Sequence, residues 1–157
     1  MDAVLLETCS EPEVCEAIRV AVQDYPEPIL LSLAYRRDSR NGFETYSHHP
    51  PEWFAERAQQ CGLAALGVNC GRDIGMAESA AIVRRYRQHT DLPLFARPNA
   101  GSPTREGERW IYPLSPRDMA EGLPELLEAG VAMNAMKSSS SLEVGQGAAV
   151  EPVGGPG

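Results

Sequence analysis

A cysteine directly follows an apolar run, at a point where the chain can do chemistry. The run covers residues 64–68 and is followed by Asn69-Cys70, and a loop from Gly71 to Gly75 comes next. The carboxyl ends of parallel strands form the functional edge of parallel α/β proteins. A thiol at such an end can bind zinc, act as a nucleophile or simply pack. Residues elsewhere in the chain must decide between these roles.

Polar residues also stand at the ends of other predicted strands. Such a row is unusual beside a hydrophobic core, and parallel strands would bring it to one edge of the sheet. We therefore expect these residues to share one site. The polar residues at the strand ends are Glu7, Thr8, Ser32, Asn69, Cys70 and Asn99.

The elements that must position these residues alternate along the chain. Apolar periodicity predicts a helix between each pair of strands, in the order βαβαβαβαβ. This alternation predicts parallel strands with right-handed crossovers, which fits both a doubly wound sheet and a partial barrel. No G-x-G-x-x-G follows the first strand, which argues against a dinucleotide site. The predicted strands are residues 3–6, 29–34, 64–68, 92–96 and 131–133, and residues 36–51 are predicted to form a long polar loop.

Length and composition exclude several classes of protein. The chain has 157 residues, enough for one domain, but a whole (β/α)8 barrel needs about 250. The formal net charge of -8 argues against nucleic acids and anionic membranes as partners. No apolar run approaches the roughly 18 residues of a membrane span, and no signal-peptide pattern opens the chain. The four cysteines show neither C-x-x-C spacing nor a disulfide framework, so we expect a cytoplasmic protein with reduced thiols.

Three motifs occur in order at predicted strand ends. They are Leu5-Leu6-Glu7-Thr8, Gly67-Val68-Asn69-Cys70 and Pro98-Asn99-Ala100-Gly101-Ser102-Pro103. Together they resemble the zinc-dependent homocysteine S-methyltransferases, which include the homocysteine-binding module of methionine synthase and betaine–homocysteine methyltransferase. The resemblance runs from Asp2 to about Met133 and implies an α/β fold of parallel βαβ units. It corresponds to the last five strands of a partial (β/α)8 TIM barrel.

The resemblance also implies a reaction. In the family, three cysteine thiolates hold zinc, and the zinc keeps the homocysteine sulfur as a thiolate that attacks an activated methyl group, giving methionine. By this resemblance Cys70 is a zinc ligand and Glu7 holds the amino group of homocysteine. Thr8, Asn69 and Asn99 would complete the substrate site. The methyl donor would be methylfolate through a corrinoid, S-methylmethionine or betaine.

The chain departs from the family pattern at the other two zinc ligands. A Gly-Gly-Cys-Cys-Gly run of the family would place them near Lys137 and Ser138, and a cation and a hydroxyl cannot replace two thiolates. The resemblance begins at the fourth strand of the family barrel, so we also expect the first half of that barrel to be missing. We therefore expect a methyltransferase domain with impaired transfer. The alternative is a non-catalytic barrel fragment, either a binding remnant or a truncated gene product, with the missing half-barrel or a second copy as its partner.

Each candidate residue also has a plain structural explanation. Glu7 could cap the next helix or pair with an arginine, and Asn69 could close its strand through turn hydrogen bonds. Cys70 could be an inert buried thiol, and Cys9 could serve as a substitute metal ligand. His48-His49 is expected to lie in a solvated loop.

The pattern divides the chain into two parts. We expect residues 1–136 to form the partial homocysteine-binding barrel domain. Residues 137–157 are rich in serine and glycine and have no periodicity, so we expect a disordered low-complexity tail.

Overall fold

The computed structural model describes residues 3–40 and 42–134 and shows an α/β protein. Five strands form its main sheet: β1 (Val4–Cys9), β2 (Ile29–Leu33), β5 (Ala65–Asn69), β6 (Leu94–Arg97) and β9 (Val131–Asn134). The helices between them are α1 (Glu13–Asp24), α2 (Pro51–Ala58), α3 (Met76–Arg87), α4 (Pro116–Glu121) and α5 (Leu123–Glu128). Two short hairpins complete the set: β3 (Tyr35–Asp38) with β4 (Gly42–Thr45), and β7 (Thr104–Glu106) with β8 (Arg109–Ile111).

The main sheet is parallel throughout, and its strand order follows the chain. The order is β1-β2-β5-β6-β9, and each neighbouring pair is parallel. A doubly wound sheet needs a point where the strand order reverses, and the described strands have none. Each crossover therefore steps the same way, as in a (β/α) barrel, and β1 and β9 form the two edges of the described sheet.

All the helices pack on one face of this sheet. The alternation of side chains along a strand puts Leu31, Leu66 and Leu94 on that face, where all three are fully buried. They belong to one hydrophobic cluster that also contains Ile18 of α1 and Phe54 of α2, together with residues of α3, α4 and α5. We call this side of the sheet the core face, and the other side the opposite face.

Several details differ from the sequence-based prediction. The long polar loop predicted over residues 36–51 is wrong, because its first part forms the β3–β4 hairpin. The first strand also runs past its apolar part to Cys9. The predicted tail over residues 137–157 lies outside the described residues.

Candidate functional site

The end of β1 carries a bulge that presents two successive side chains on the same side. Leu6 pairs with Leu31 and Cys9 pairs with Leu33, so two residues of β1 oppose one residue of β2. Thr8 takes up the extra length with a left-handed backbone, at a φ of 62°. This conformation is rare for a β-branched residue and costs on the order of 1–3 kcal/mol. As a result, Thr8 joins Glu7 on the opposite face instead of alternating away from it.

Asn69 is the centre of a buried hydrogen-bond network at the end of β5. Its side chain and that of Ser32 are both fully buried. With the amide oriented so that each atom meets a complementary group, Nδ2 donates to Ser32 Oγ at 2.9 Å and to the Leu33 carbonyl at 3.1 Å. Its oxygen then accepts from Thr8 Oγ1 at 2.8 Å and from the Cys70 amide at 3.2 Å. One side chain thus ties together the ends of β1, β2 and β5.

The Cys70 thiol lies beside this network and is partly exposed. Its sulfur is 3.2 Å from a terminal atom of the Asn69 amide. The next residue, Gly71, passes so close to β3 that a Cβ atom would lie 1.7 Å from the Tyr35 carbonyl oxygen. Only glycine allows this approach, and it fixes where the loop after Cys70 leaves the sheet.

Glu7 forms an ion pair with Arg97 across the ends of two other strands. Arg97 Nη1 lies 2.9 Å from Glu7 Oε2, although β2 and β5 separate β1 from β6. The two side chains are 23% and 28% exposed, so solvent reaches the pair. Arg97 is in register with Asn69, which places the pair beside the Asn69 network.

The Phe95 ring packs on the opposite face below the polar groups of β5 and β6. Phe95 is 4% exposed, and its ring lies over Gly67 of the neighbouring strand. A Cβ atom at Gly67 would lie 2.4 Å from the Phe95 ring, so the two residues fit only as a pair. Next to β5 and β6, the polar groups of the strand ends therefore lie above a tight apolar contact, whereas Leu5 of β1 on the same face is 40% exposed.

Asn99 is half-buried two residues after β6. It makes no hydrogen bond to the Asn69 network within the part of the chain that the structure describes. The structure thus brings Glu7, Thr8, Asn69 and Cys70 together, and it places Asn99 farther along the same edge. The roles of all five residues in binding remain predictions.

The described residues do not fit a catalytic zinc site. Within residues 3–40 and 42–134, no three histidine, cysteine or acidic side chains converge where they could hold a metal ion. The side chain beside the Cys70 sulfur is the Asn69 amide, which is bonded in turn to two hydroxyls, whereas catalytic zinc needs three nitrogen, sulfur or carboxylate ligands. Lys137 and Ser138, which stand at the positions of the other two family ligands, lie outside the described residues.

The remaining thiols belong to the packing of the core. Cys9 packs against the hydrophobic core, and burial raises the pKa of its thiol. Cys15 of α1 and Cys61 after α2 are both buried. Burial, followed by the neighbouring Cys61 thiol, raises the pKa of Cys15 to about 12. Cys9 is the last residue of β1, but it packs against the core, and Cys15 and Cys61 lie outside the strands.

The adjacent histidines lie near the β3–β4 hairpin and have separate partners. His48 Nδ1 lies 3.1 Å from Glu44 Oε1, and the same carboxylate binds Arg36 at 2.7 Å. The ring of His49 stacks on Trp53, with 4.3 Å between the ring centroids. His49 therefore has a packing role that the loop interpretation did not foresee.

Arg97 is the site residue that the sequence reasoning missed. It stands between the apolar run of residues 92–96 and Pro98-Asn99, so it is also a polar residue at a strand end. The same criterion that selected Glu7 and Asn69 could have selected Arg97. Its ionic partner could not be read from the sequence, because the two residues lie 90 positions apart.

The fold and the site together define a parallel α/β domain with polar and thiol groups at the carboxyl ends of its strands. The family model described as homocysteine S-methyltransferase matches residues 1–145. This chain therefore belongs to the homocysteine S-methyltransferase family, as the strand-end motifs predicted.

Two relatives give the extent of the similarity. The chain is similar to the methionine synthases of Mycobacterium leprae (strain TN) and Mycobacterium tuberculosis (strain ATCC 25618 / H37Rv). Each is 36% identical over 62 residues, which make up 40% of this chain and 5% of the methionine synthase. The matched segment thus spans a small part of those proteins. Among the helices of the described residues, none is long and apolar enough to cross a membrane.

Proposed function

We propose that this chain is a homocysteine-binding domain of the S-methyltransferase type. Glu7 holds the amino group of homocysteine, and the homocysteine thiol points towards Cys70. Thr8 and Asn69 set the shape of the site, and Asn99 contributes from the end of β6. The observation that carries this proposal is the bulge in β1, because it presents Glu7 and Thr8 together beside the Asn69 network.

We further propose that methyl transfer by this chain is impaired. A catalytic zinc site holds three protein ligands and one open position, and zinc supplies the charge that keeps a thiol ionised at neutral pH. Cys70 is a single thiol beside the Asn69 amide. Lys137 and Ser138 add no thiolate. The methyl donor proposed for an intact site is methylfolate through a corrinoid, S-methylmethionine or betaine.

The sheet belongs, in this proposal, to a (β/α)8 barrel. Supporting this, the strand order follows the chain without reversal and all the helices pack on the core face. The outer edges of β1 and β9 carry backbone groups that a closed barrel would pair. A complementary half-barrel or a second copy of the chain would satisfy them. We place this reaction in the cytoplasm, where the thiols stay reduced.

A second candidate function is amino-acid binding without catalysis. The ion pair between Glu7 and Arg97 favours it, because that pair supplies charges suited to binding and no group suited to methyl transfer. In this case the chain would act as a binding or interaction module.

Calorimetric titration with homocysteine tests the proposed function. Glu7→Gln removes the charge that holds the amino group, and a hydrogen bond to a charged group contributes about 1.5–3 kcal/mol. The affinity should therefore fall by roughly ten- to a hundredfold. Glu16→Gln is the matched control, because Glu16 also pairs with an arginine, Arg19, but on the exposed surface of α1. Equal affinities of the wild type and Glu7→Gln would contradict the role of Glu7.

Zinc content tests the proposed impairment of methyl transfer. After mild chelation, the wild type should retain far less than one zinc per chain, because a single thiolate binds zinc weakly. Replacing residues 135–139 by Gly-Gly-Cys-Cys-Gly should raise zinc retention. Near-equimolar zinc in the wild type that disappears in Cys70→Ser would show that the site is intact.

A further inference from the structure

We propose that Arg97 binds the α-carboxylate of the amino acid whose ammonium group Glu7 holds. The Glu7–Arg97 ion pair would then recognise the zwitterionic end that all free α-amino acids share. This inference rests on the proposed function for the role of Glu7, and it adds Arg97 as a residue that determines specificity.

The guanidinium of Arg97 uses only one of its corners in the ion pair. Nη1 donates to Glu7 Oε2 at 2.9 Å. Nε is buried, and it has no hydrogen-bond partner among the residues that the structure describes. Nε and Nη2 form the edge of a guanidinium that binds a carboxylate through two parallel hydrogen bonds. A ligand carboxylate at this edge would satisfy a donor that is otherwise left unpaired.

The position of the pair suits a ligand that enters from the strand ends. Arg97 is the last residue of β6, and it is in register with Asn69 at the end of β5. Both charged side chains are partly exposed, at 23% for Arg97 and 28% for Glu7. A small turn of the guanidinium towards the solvent at the strand ends would present its Nε–Nη2 edge to the ligand. Glu7 would stay close to Nη1.

The charges of the pair select against ligands that carry only one charge. A simple amine would draw Glu7 away from Arg97 and leave a half-buried guanidinium without its counter-charge. A simple carboxylate would draw Arg97 away from Glu7 and leave the Glu7 carboxylate without its counter-charge. An α-amino acid carries both an ammonium and a carboxylate. When Glu7 and Arg97 separate to bind it, each of the two side chains therefore gains a new partner of opposite charge. The site should therefore prefer the zwitterion to either half of it.

Three thiols of similar size test this preference by calorimetry. Homocysteine carries both charged groups, 3-aminopropanethiol lacks the carboxylate, and 4-mercaptobutanoate lacks the ammonium. Wild-type protein should bind homocysteine at least tenfold more tightly than either of the others. Arg97→Met should weaken homocysteine binding by about ten- to a hundredfold, and it should leave 3-aminopropanethiol binding unchanged or tighter. The homocysteine affinity of Arg97→Lys should lie between that of the wild type and that of Arg97→Met.

The matched control is Arg19→Met, which breaks an exposed arginine–glutamate pair on α1 and should leave all three affinities unchanged. Circular dichroism shows whether each variant folds. If Arg97→Met does not fold, the comparison uses Arg97→Lys, for which the expected loss with homocysteine is about three- to tenfold. Homocysteine binding that is unchanged or tighter in the folded Arg97 variant would overturn the inference and leave Arg97 as a mere counter-ion of Glu7.

Methionine separates this inference from the proposed function. If the wild type binds methionine with the same dependence on Arg97 but ignores homocysteine, the zwitterion site stands and the homocysteine assignment fails. If homocysteine binding depends on Glu7 but not on Arg97, the proposed function stands and this inference fails. A wild type that binds neither amino acid would overturn both.

Discussion

Replacing Asn69 by alanine should cause a larger loss of stability than its small side chain suggests. The Asn69 amide lies in the buried network at the strand ends, where it bonds Ser32, Thr8, the Leu33 carbonyl and the Cys70 amide. Asn69→Ala removes all four hydrogen bonds at once and leaves their partners in place. The variant thus tests whether the network holds the ends of three strands together.

The size of the effect follows from the burial of those partners. Ser32 is fully buried, so its hydroxyl cannot turn to water, and an unsatisfied buried group costs about 1–3 kcal/mol. Thr8 is exposed and can bind water instead, so its lost hydrogen bond costs only about 0.5–1.5 kcal/mol. From these two side-chain hydrogen bonds, the free energy of unfolding should fall by roughly 2–4 kcal/mol. For a domain of this size, that corresponds to a melting temperature lower by roughly 5–15 °C.

Urea unfolding followed by circular dichroism measures this change. The midpoint should shift while the slope with urea stays the same, because the surface exposed on unfolding hardly changes. Ser32→Ala added to Asn69→Ala should cost little or even stabilise, because it removes the stranded hydroxyl. The double-mutant cycle should therefore give a coupling energy of about 0.5–3 kcal/mol.

Ser79→Ala is the matched control for removing a buried hydroxyl. Ser79 is also fully buried, but its Oγ has no hydrogen-bond partner among the described residues. Its replacement should be neutral or slightly stabilising. A loss below about 1 kcal/mol for Asn69→Ala, with additive effects in the cycle, would show that the network does not hold the strand ends.

Three other features give predictions of their own. Gly67→Ala should destabilise by about 1–3 kcal/mol in urea unfolding, because its Cβ would meet the Phe95 ring, and Phe95→Leu should recover part of the loss. At pH 8, Cys15 should react with a disulfide reagent at least tenfold more slowly than Cys70, as mapped by mass spectrometry, because its pKa is raised to about 12. Burial raises the pKa of Glu52, but hydrogen bonds from Arg85 outweigh burial and hold this pKa below its ordinary value of 4.5. The wild type should therefore be more stable than Glu52→Gln above pH 4.5, and urea unfolding at several pH values should show this difference shrinking as the pH falls below 4.5.

The sequence predicted the main sheet because each of its strands has a distinct apolar run between amphipathic helices. It could not separate a partial barrel from a doubly wound sheet, since both have the same alternation of elements. The two differ in the order of their strands, which depends on which strand each crossover reaches, and in the described residues this order runs β1-β2-β5-β6-β9 without reversal. The β3–β4 hairpin escaped prediction because Tyr35–Asp38 is a short and mostly polar strand.

The sequence indicated Glu7 and Asn69 as candidate site residues, but it did not indicate Arg97 or the contacts among these residues. Glu7 and Asn69 stand out in the sequence because a polar residue ends an apolar run. The bond between Asn69 and Thr8 depends on the left-handed backbone of Thr8, which no residue pattern indicates for a threonine. The contact between Glu7 and Arg97 depends on the reach of two side chains across two intervening strands.

Because of the bulge in β1, the number of residues in that strand determines which side chains the site contains. A strand one residue shorter between Leu6 and Cys9 would pair evenly with β2, and it would remove the strained backbone of Thr8. It would then offer one side chain at this point in place of Glu7 and Thr8. A single-residue deletion here should thus leave the sheet folded but weaken ligand binding. Related chains that have lost the residue should have changed what they bind.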